Sequence, residues 1–241
     1  MFRDRLSNAT YYQLGAYQLR IELLRALFPD GEDKPPRLKK ESDQPWTLTA
    51  LANSYSLAGQ PRRAVPLYER QNALQEKLGN KENLAIGRGA VATVGFIPLG
   101  ELKAAERNLR RNIEICREIK DEFHEAVGHQ GLGRTMVYRG QFAEAERELA
   151  ISTAYWQKTN YAQGMSLDWA YRSLRALLMG DASAALSAAH KAREFAEEYA
   201  RTRFRLRGVV DWRGVGGVVG WGARPCAPAR GGSPFAGSAS A

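Results

Sequence analysis

The stretch GQFAEA, residues 140–145, decides the fold. It recurs as GQPRRA (59–64), GELKAA (100–105) and GDASAA (180–185). Each copy is Gly, a polar residue, three variable residues and Ala. The four glycines stand 41, 40 and 40 residues apart. Spacing that regular marks an internal repeat, which has to be recognised before any local motif is read.

The string describes a tight turn between two helices. Gly accepts a left-handed conformation cheaply and so ends the first helix. Gln, Glu or Asp opens the second, where a side-chain oxygen is expected to meet unpaired N–H groups. Ala follows where two helices cross too closely for anything larger. One helical turn later come Tyr68, Leu109, Leu149 and Ala189, on the same inner stripe. The residues before the glycines are helical too. Leu48, Leu51, Ala52 and Tyr55 form an apolar stripe in the first unit, Leu132, Gly133 and Met136 in the third, and Trp169, Ser173 and Ala176 in the fourth. The repeating unit is a pair of antiparallel helices, and the chain is predicted to be all-α, a solenoid of stacked pairs.

This pattern resembles the tetratricopeptide repeat (TPR) family in a form of about 40 residues per unit. The resemblance rests on Leu51-Ala52, Tyr55, Gly59, Ala64 and Tyr68 in the first unit, Leu132-Gly133 and Ala145 in the third, and Trp169 and Ala185 in the fourth. It covers roughly residues 46–200 and is similar to bacterial TPR arrays of signalling proteins. Arg172 replaces the usual leucine and Ala176 the usual aromatic, so the fourth unit is expected to pack less tightly. The resemblance implies a right-handed α-solenoid, a TPR-like superhelix.

Outside the four pairs (46–204), residues 1–30 hold an N-terminal helix. It is read over 9–28 from Leu14, Tyr17, Ile21, Leu24 and Phe28 and stopped by Phe-Pro-Asp-Gly. It is either the second helix of a partial repeat or a dedicated cap. Residues 31–45, GEDKPPRLKKESDQP, form a charged linker, with Ser42 or Asp43 as the cap of the next helix and Pro45 in its first turn. From 205 to 241 the chain is rich in Gly, Ala, Arg and Pro, which predicts disorder. That composition also fits an out-of-frame reading of GC-rich DNA. With no further repeat after it, the last helix (182–204) should expose Leu186, Ala189, Ala192, Phe195, Ala196 and Tyr199, a surface for self-association.

The net charge is +9, but residues 201–241 contribute seven Arg against one Asp. The remaining 28 basic and 25 acidic residues are interspersed along helix faces. That is a solvated surface rather than a nucleic-acid site, which needs clustered basic residues. No run approaches the 18 apolar residues of a membrane span. MFRDRLSNATYY lacks the apolar core of a signal peptide, so a cytoplasmic location is expected. Cys116 and Cys226 suggest neither a disulfide framework nor a zinc site.

Residues 85–95, AIGRGAVATVG, contain Gly87-x-Gly89-x-x-Ala92, a form of the dinucleotide fingerprint. That motif needs a strand before it and a βαβ unit around it. The repeat register instead places 83–97 on the first helix of the second pair. Gly87, Gly89 and Gly95 should make residues 85–98 the weakest helix of the array. His124 and His129 are five apart, which does not suit H-E-x-x-H, and with His190 they are read as surface or groove residues. Glu144, Glu146 and Glu148 are read as an exposed, solubilising face. Most of Tyr55, Phe96, Tyr138, Trp156 and Trp169 are read as core packing rather than a base-stacking platform. No catalytic, cofactor or metal site is expected.

The resemblance implies a protein-interaction module that binds a peptide or partner protein in its concave groove. Register places Asn53, Gln130, Arg134 and Tyr171 on the inner side of the first helices. Asn53 stands where some family members grip a peptide's terminal carboxylate, although the accompanying lysines are missing. A ligand- or peptide-sensing domain of a larger bacterial signalling protein is the alternative, and a nucleotide-binding enzyme the least favoured reading.

Overall fold

The computed structural model describes residues 15–207, so the tail from 208 onward and the start of the N-terminal segment lie outside it. Among the described residues all regular structure is helical. Helix α1 is Tyr17–Arg25, followed by a strap and a 3₁₀ turn at Glu41–Asp43. Four antiparallel pairs follow: α2 (Gln44–Leu57) with α3 (Pro61–Lys77), α4 (Lys81–Ala90) with α5 (Leu102–Glu118), α6 (Glu122–Tyr138) with α7 (Phe142–Lys158), and α8 (Ala162–Leu178) with α9 (Ala182–Arg207).

The repeated string does what its physics requires. Gly59, Gly100, Gly140 and Gly180 all sit in the left-handed region, at φ of 73–82°. Ala64, Ala105, Ala145 and Ala185 are all buried at the crossing. The polar residue after each glycine, however, acts mainly through its backbone. Gln60, Glu101, Gln141 and Asp181 each donate N–H to the carbonyl five residues back (Tyr55, Phe96, Met136 and Ala176) at 2.8–3.0 Å. This is the Schellman closure of the preceding helix. Of the four side chains, only that of Asp181 caps, accepting from Ala184 N–H.

A second set of turns joins one pair to the next. Gly79, Lys120 and Asn160 carry φ of 66°, 57° and 50°, and the same closure follows each of them. Asn80 and Asp121 then cap α4 and α6 with their side chains. Composition hides these turns, because only the first uses glycine.

The extra residue of the 41-residue spacing has a place. Helix α4 ends at Ala90 and continues as a π-helix over Val91–Phe96, then a 3₁₀ turn at Ile97–Leu99. A π turn absorbs one inserted residue without breaking the helix. The first helix of the second pair is therefore not the regular α-helix read over 83–97.

Other expectations are corrected. Of the helix read over 9–28, residues 9–14 lie outside the described residues; the described part turns at Gly15 (φ 57°) and is helical over Tyr17–Arg25. Ile21, Leu24 and Phe28 are buried as the stripe predicts. The charged linker is fastened at its start. Glu32 bonds Tyr55 Oη (2.6 Å), Arg25 and Arg63 (both 2.9 Å), and Arg70 donates to the carbonyls of Glu32 and Lys34. Asp43 precedes α2 without a side-chain cap, while Pro45 lies in the first turn as expected. Tyr55 and Trp156 are core, whereas Tyr138 is exposed.

First helices of successive pairs approach each other closely, α4 with α6 and α6 with α8. The second helices have no comparable contacts. The array therefore curves with the first helices on its inner side.

Candidate functional site

Of the four inner-face residues expected from sequence, the structure brings Arg134 and Tyr171 together. Arg134, on α6, holds its guanidinium carbon 5.7 Å from the Tyr171 ring centre on α8 and 5.6 Å from that of Tyr138, one turn along α6. Such distances allow a cation–π contact with each ring. Arg134 and Tyr171 are half-buried, Tyr138 exposed. Burial pushes the Tyr171 phenol above its ordinary value, with Arg134 pulling the other way. Among the described residues no carboxylate pairs with Arg134. Its neighbours differ: Arg139 pairs with Glu106, Arg172 and Arg175 with Glu146, and Arg117 with Glu125.

Asn53 lies apart from this trio, in the first pair, where its Oδ1 accepts the Tyr68 hydroxyl. Gln130 does not face a groove. It is buried, and its Nε2 donates to the Gly164 carbonyl (3.0 Å) and to Asp168 Oδ1 (2.7 Å). Close approach of α6 and α8 closes the space that register alone leaves open.

Asp168 is the feature that sequence reading missed. It is fully buried, and its Oδ2 accepts from Ser152 Oγ and Thr153 Oγ1, each at 2.8 Å. Loss of water pushes its carboxyl up to about 6, against the pull of Gln130, Thr153, Ser152 and the Arg172 charge. The repeat register held a signal. Asp168 occupies the position of Gly87 and Gly128, 41 and 40 residues apart, and a charged residue there breaks the pattern.

Two of the three histidines read as surface or groove residues are placed elsewhere. His124 and His129 are both buried, and His190 is exposed. His124 Nδ1 bonds Asp121 Oδ2 at 2.6 Å, and His129 Nδ1 bonds Glu148 Oε2 at 2.5 Å. His129 Nε2 faces Arg117 Nη2 at 3.2 Å, and a guanidinium can only donate, so this ring carries its proton on Nδ1. The glutamates read as solubilising link helices instead, Glu144 to Arg110, Glu146 to Arg172 and Glu148 to His129. Among the described residues no group of three or more His, Cys, Asp or Glu could hold a metal. The Cys116 thiol is pushed up to about 12 by burial, so it is not a thiolate nucleophile.

On the last described helix the apolar stripe is only partly exposed. Ala185, Ala188, Phe195 and Tyr199 turn toward α8 and its neighbours, while Ala189 and Ala196 are exposed. Leu186 is 62% exposed, and Leu177, Leu178 and Met179 at the end of α8 are 61%, 52% and 56% exposed.

This array of antiparallel helix pairs, closed by left-handed turns, aligns with known structures. A Podosopora anserina protein described as nearly identical TPR-like repeats of kinesin light chain type aligns with a TM-score of 0.54 at 21% identity, over 79% of this chain and 92% of that one. A variant of the same protein aligns at 0.56 with the same identity and coverage. BtubC (BKLC) from P. vanneervenii aligns at 0.60 and 18% identity, over 78% of this chain and 76% of that one. This is a TPR-like fold. No family model and no curated protein sequence matches the chain. TPR-like folds serve in general as protein–protein interaction scaffolds. Among the described residues no helix is long and apolar enough to cross a membrane.

Proposed function

We propose that this chain is a protein-interaction module that grips a peptide or partner segment on its inner face, through Arg134, Tyr138 and Tyr171. The observation that carries this reading is an inner-face arginine set against two tyrosine rings, with no carboxylate partner among the described residues. Arg presents a planar fork that suits a carboxylate bidentately. Tyrosines supply amphipathic contact area at little conformational cost. The partner is therefore read as a segment with an acidic side chain or terminus. Asn53 is read as an outlying contact of the same groove, at the far end of the array.

Labelled acidic, neutral and basic peptides, titrated against the full chain by fluorescence anisotropy, test this. Acidic peptides should bind best, and Arg134→Ala should weaken them about tenfold or more, the value of a charge-assisted hydrogen bond. Equal binding by the wild type and an Arg134→Ala/Tyr171→Ala double variant would refute the reading.

A second copy of the chain is a second candidate partner. Leu177, Leu178, Met179 and Leu186, large apolar side chains all more than half exposed on the fourth pair, favour it. Sedimentation equilibrium should give a concentration-dependent dimer that Leu186→Glu abolishes. A monomer at all concentrations would remove this possibility.

A further inference from the structure

Each junction between pairs is built on the same three positions. At the first, the side chains of Gln71 and Asn72 face Gly87, where an added Cβ would come within 2.3 Å of Gln71 Oε1 and 2.0 Å of Asn72 Oδ1. At the second, Asn112 and Ile113 face Gly128 at 2.3 and 2.7 Å in the same sense. At the third, Ser152 and Thr153 face Asp168. Large side chains opposite glycine become small hydroxyls opposite a carboxylate. The volume is kept, but a buried charge replaces a neutral contact.

That junction lies beneath the proposed grip. Gln130 and Arg134 are one turn apart on α6, and Asp168 and Tyr171 are three residues apart on α8. The Gln130–Asp168 bond thus ties the two helices that carry Arg134 and Tyr171, and the Asp168 charge acts on the Tyr171 phenol. We propose that Gln130, Asp168, Ser152 and Thr153 form a proton-linked joint that positions the Arg134–Tyr171 pair. The role of that pair in binding rests on the function proposed above, whereas the joint itself does not.

The hydroxyls make the exchange possible. With Asp168 ionised, both donate to Oδ2. Each also has a second acceptor at hand, the Leu149 carbonyl, 3.1 Å from Ser152 Oγ and 2.6 Å from Thr153 Oγ1. When a proton from solvent binds Oδ2, that O–H donates to Ser152 Oγ, and the Ser152 hydrogen turns to Leu149. No donor is orphaned, but the attraction between Asp168 and Arg172 is lost.

The surrounding groups are few. From α6 come uncharged Gln130 and, one turn on, Arg134, while His129 points to Glu148 and Arg117. From α7 come the two hydroxyls, with Glu146 engaged by Arg172 and Arg175. On α8 itself are Arg172, whose Nη1 donates to Thr153 Oγ1 at 2.9 Å, and Tyr171. From α9, Lys191 lies over the Trp169 ring. A folded-state value near 6, above the ordinary 3.8, means that the folded chain holds an extra proton between them. The associated stability is full below about 4 and is lost as pH rises through about 6.

The test is an NMR titration of the full chain from pH 4.5 to 8, following the Asp168 carboxyl carbon, the Tyr171 ring and Arg134 Nε–H. All three should shift with one midpoint, and Asp168→Asn should flatten the latter two. Because imidazoles as a class titrate in the same window, that variant is the control for the histidines. A second variant, Ser152→Asn/Asp168→Gly, rebuilds the neutral pairing of the second junction and should fold and be equally flat. A Tyr171 titration that persists in either variant would overturn the proposal. So would an Asp168 titration that leaves Tyr171 and Arg134 unmoved. These measurements need no partner, so a failed peptide screen and a failed joint are told apart.

Discussion

Trp156→Ala is expected to cost about 3–5 kcal/mol, the range for deleting a fully buried large aromatic. Trp156 is 1% exposed near the end of α7. Its ring centre lies 5.6 Å from Phe123, 5.1 Å from Tyr155 and 5.3 Å from Tyr161, in edge-on or tilted geometries that add to burial. Ala126, Val127 and Met165 complete the cluster, and Phe195 reaches it from α9. Residues of α6, α7, α8 and α9 thus join the one cluster that holds this indole. Its Nε1–H has no acceptor among the described residues, so the loss is one of packing rather than of a hydrogen bond. Trp156→Phe should accordingly recover most of the stability. Urea unfolding followed by circular dichroism is the measurement. Stability in a solenoid is nearly additive over neighbouring units, so the alanine variant should also split the transition, with the fourth pair melting first. A loss below about 1 kcal/mol would mean that the cluster does not join the last two pairs.

The fold was legible because the turn string carries its own geometry. Gly at the left-handed position and Ala at the crossing are demanded by backbone and steric rules, so they recur in the sequence as letters. The turns between pairs follow the same backbone rule with Gly79, Lys120 and Asn160, three different letters, and so left no string to find. The π segment was half legible. One spacing of 41 among 40s announced an insertion, but only the structure assigns it to Val91–Phe96. The glycines of that stretch also mean something other than weakness. Gly87 admits the side chains of Gln71 and Asn72, and Gly95 lies where a Cβ would meet Val65 Cγ2 at 2.9 Å.

The candidate site was less legible, because facing a groove and facing the next helix differ by a fraction of a turn. Arg134 and Gln130 are four apart on one helix, yet one reaches the inner face and the other is sealed by α8. The side-chain links between helices were illegible for a related reason. Glu146 and Glu148 look solvated until α8 and α6 supply Arg172 and His129. Asp168 could have been found by aligning the units, since a carboxylate at a glycine position needs donors and the facing residues are Ser and Thr.

Gly164→Ala provides the sharpest test of this packing, because its sign should depend on a neighbour. In an exposed helix interior the change stabilises by about 1 kcal/mol. Here the new Cβ would stand 2.4, 2.6 and 2.7 Å from Cδ2, Cε2 and Cγ of Trp156. The indole has little room to retreat, since Phe123, Tyr155 and Tyr161 surround it. The Gly164 carbonyl is also held by Gln130, so α8 is not free to slide. Overpacking of this kind should cost about 2 kcal/mol. In the Trp156→Ala background the obstructing ring is gone, and the same change should turn favourable by about 1 kcal/mol. The double-mutant cycle would then give a coupling of about 3 kcal/mol, at the upper end for residues in contact. Additive effects in that cycle would mean that helix propensity, and not the indole, sets the cost at Gly164, and that α8 can shift on α7. The joint at Asp168 would then lack the fixed frame it needs, because Gly164 and Asp168 are one turn apart on the same helix.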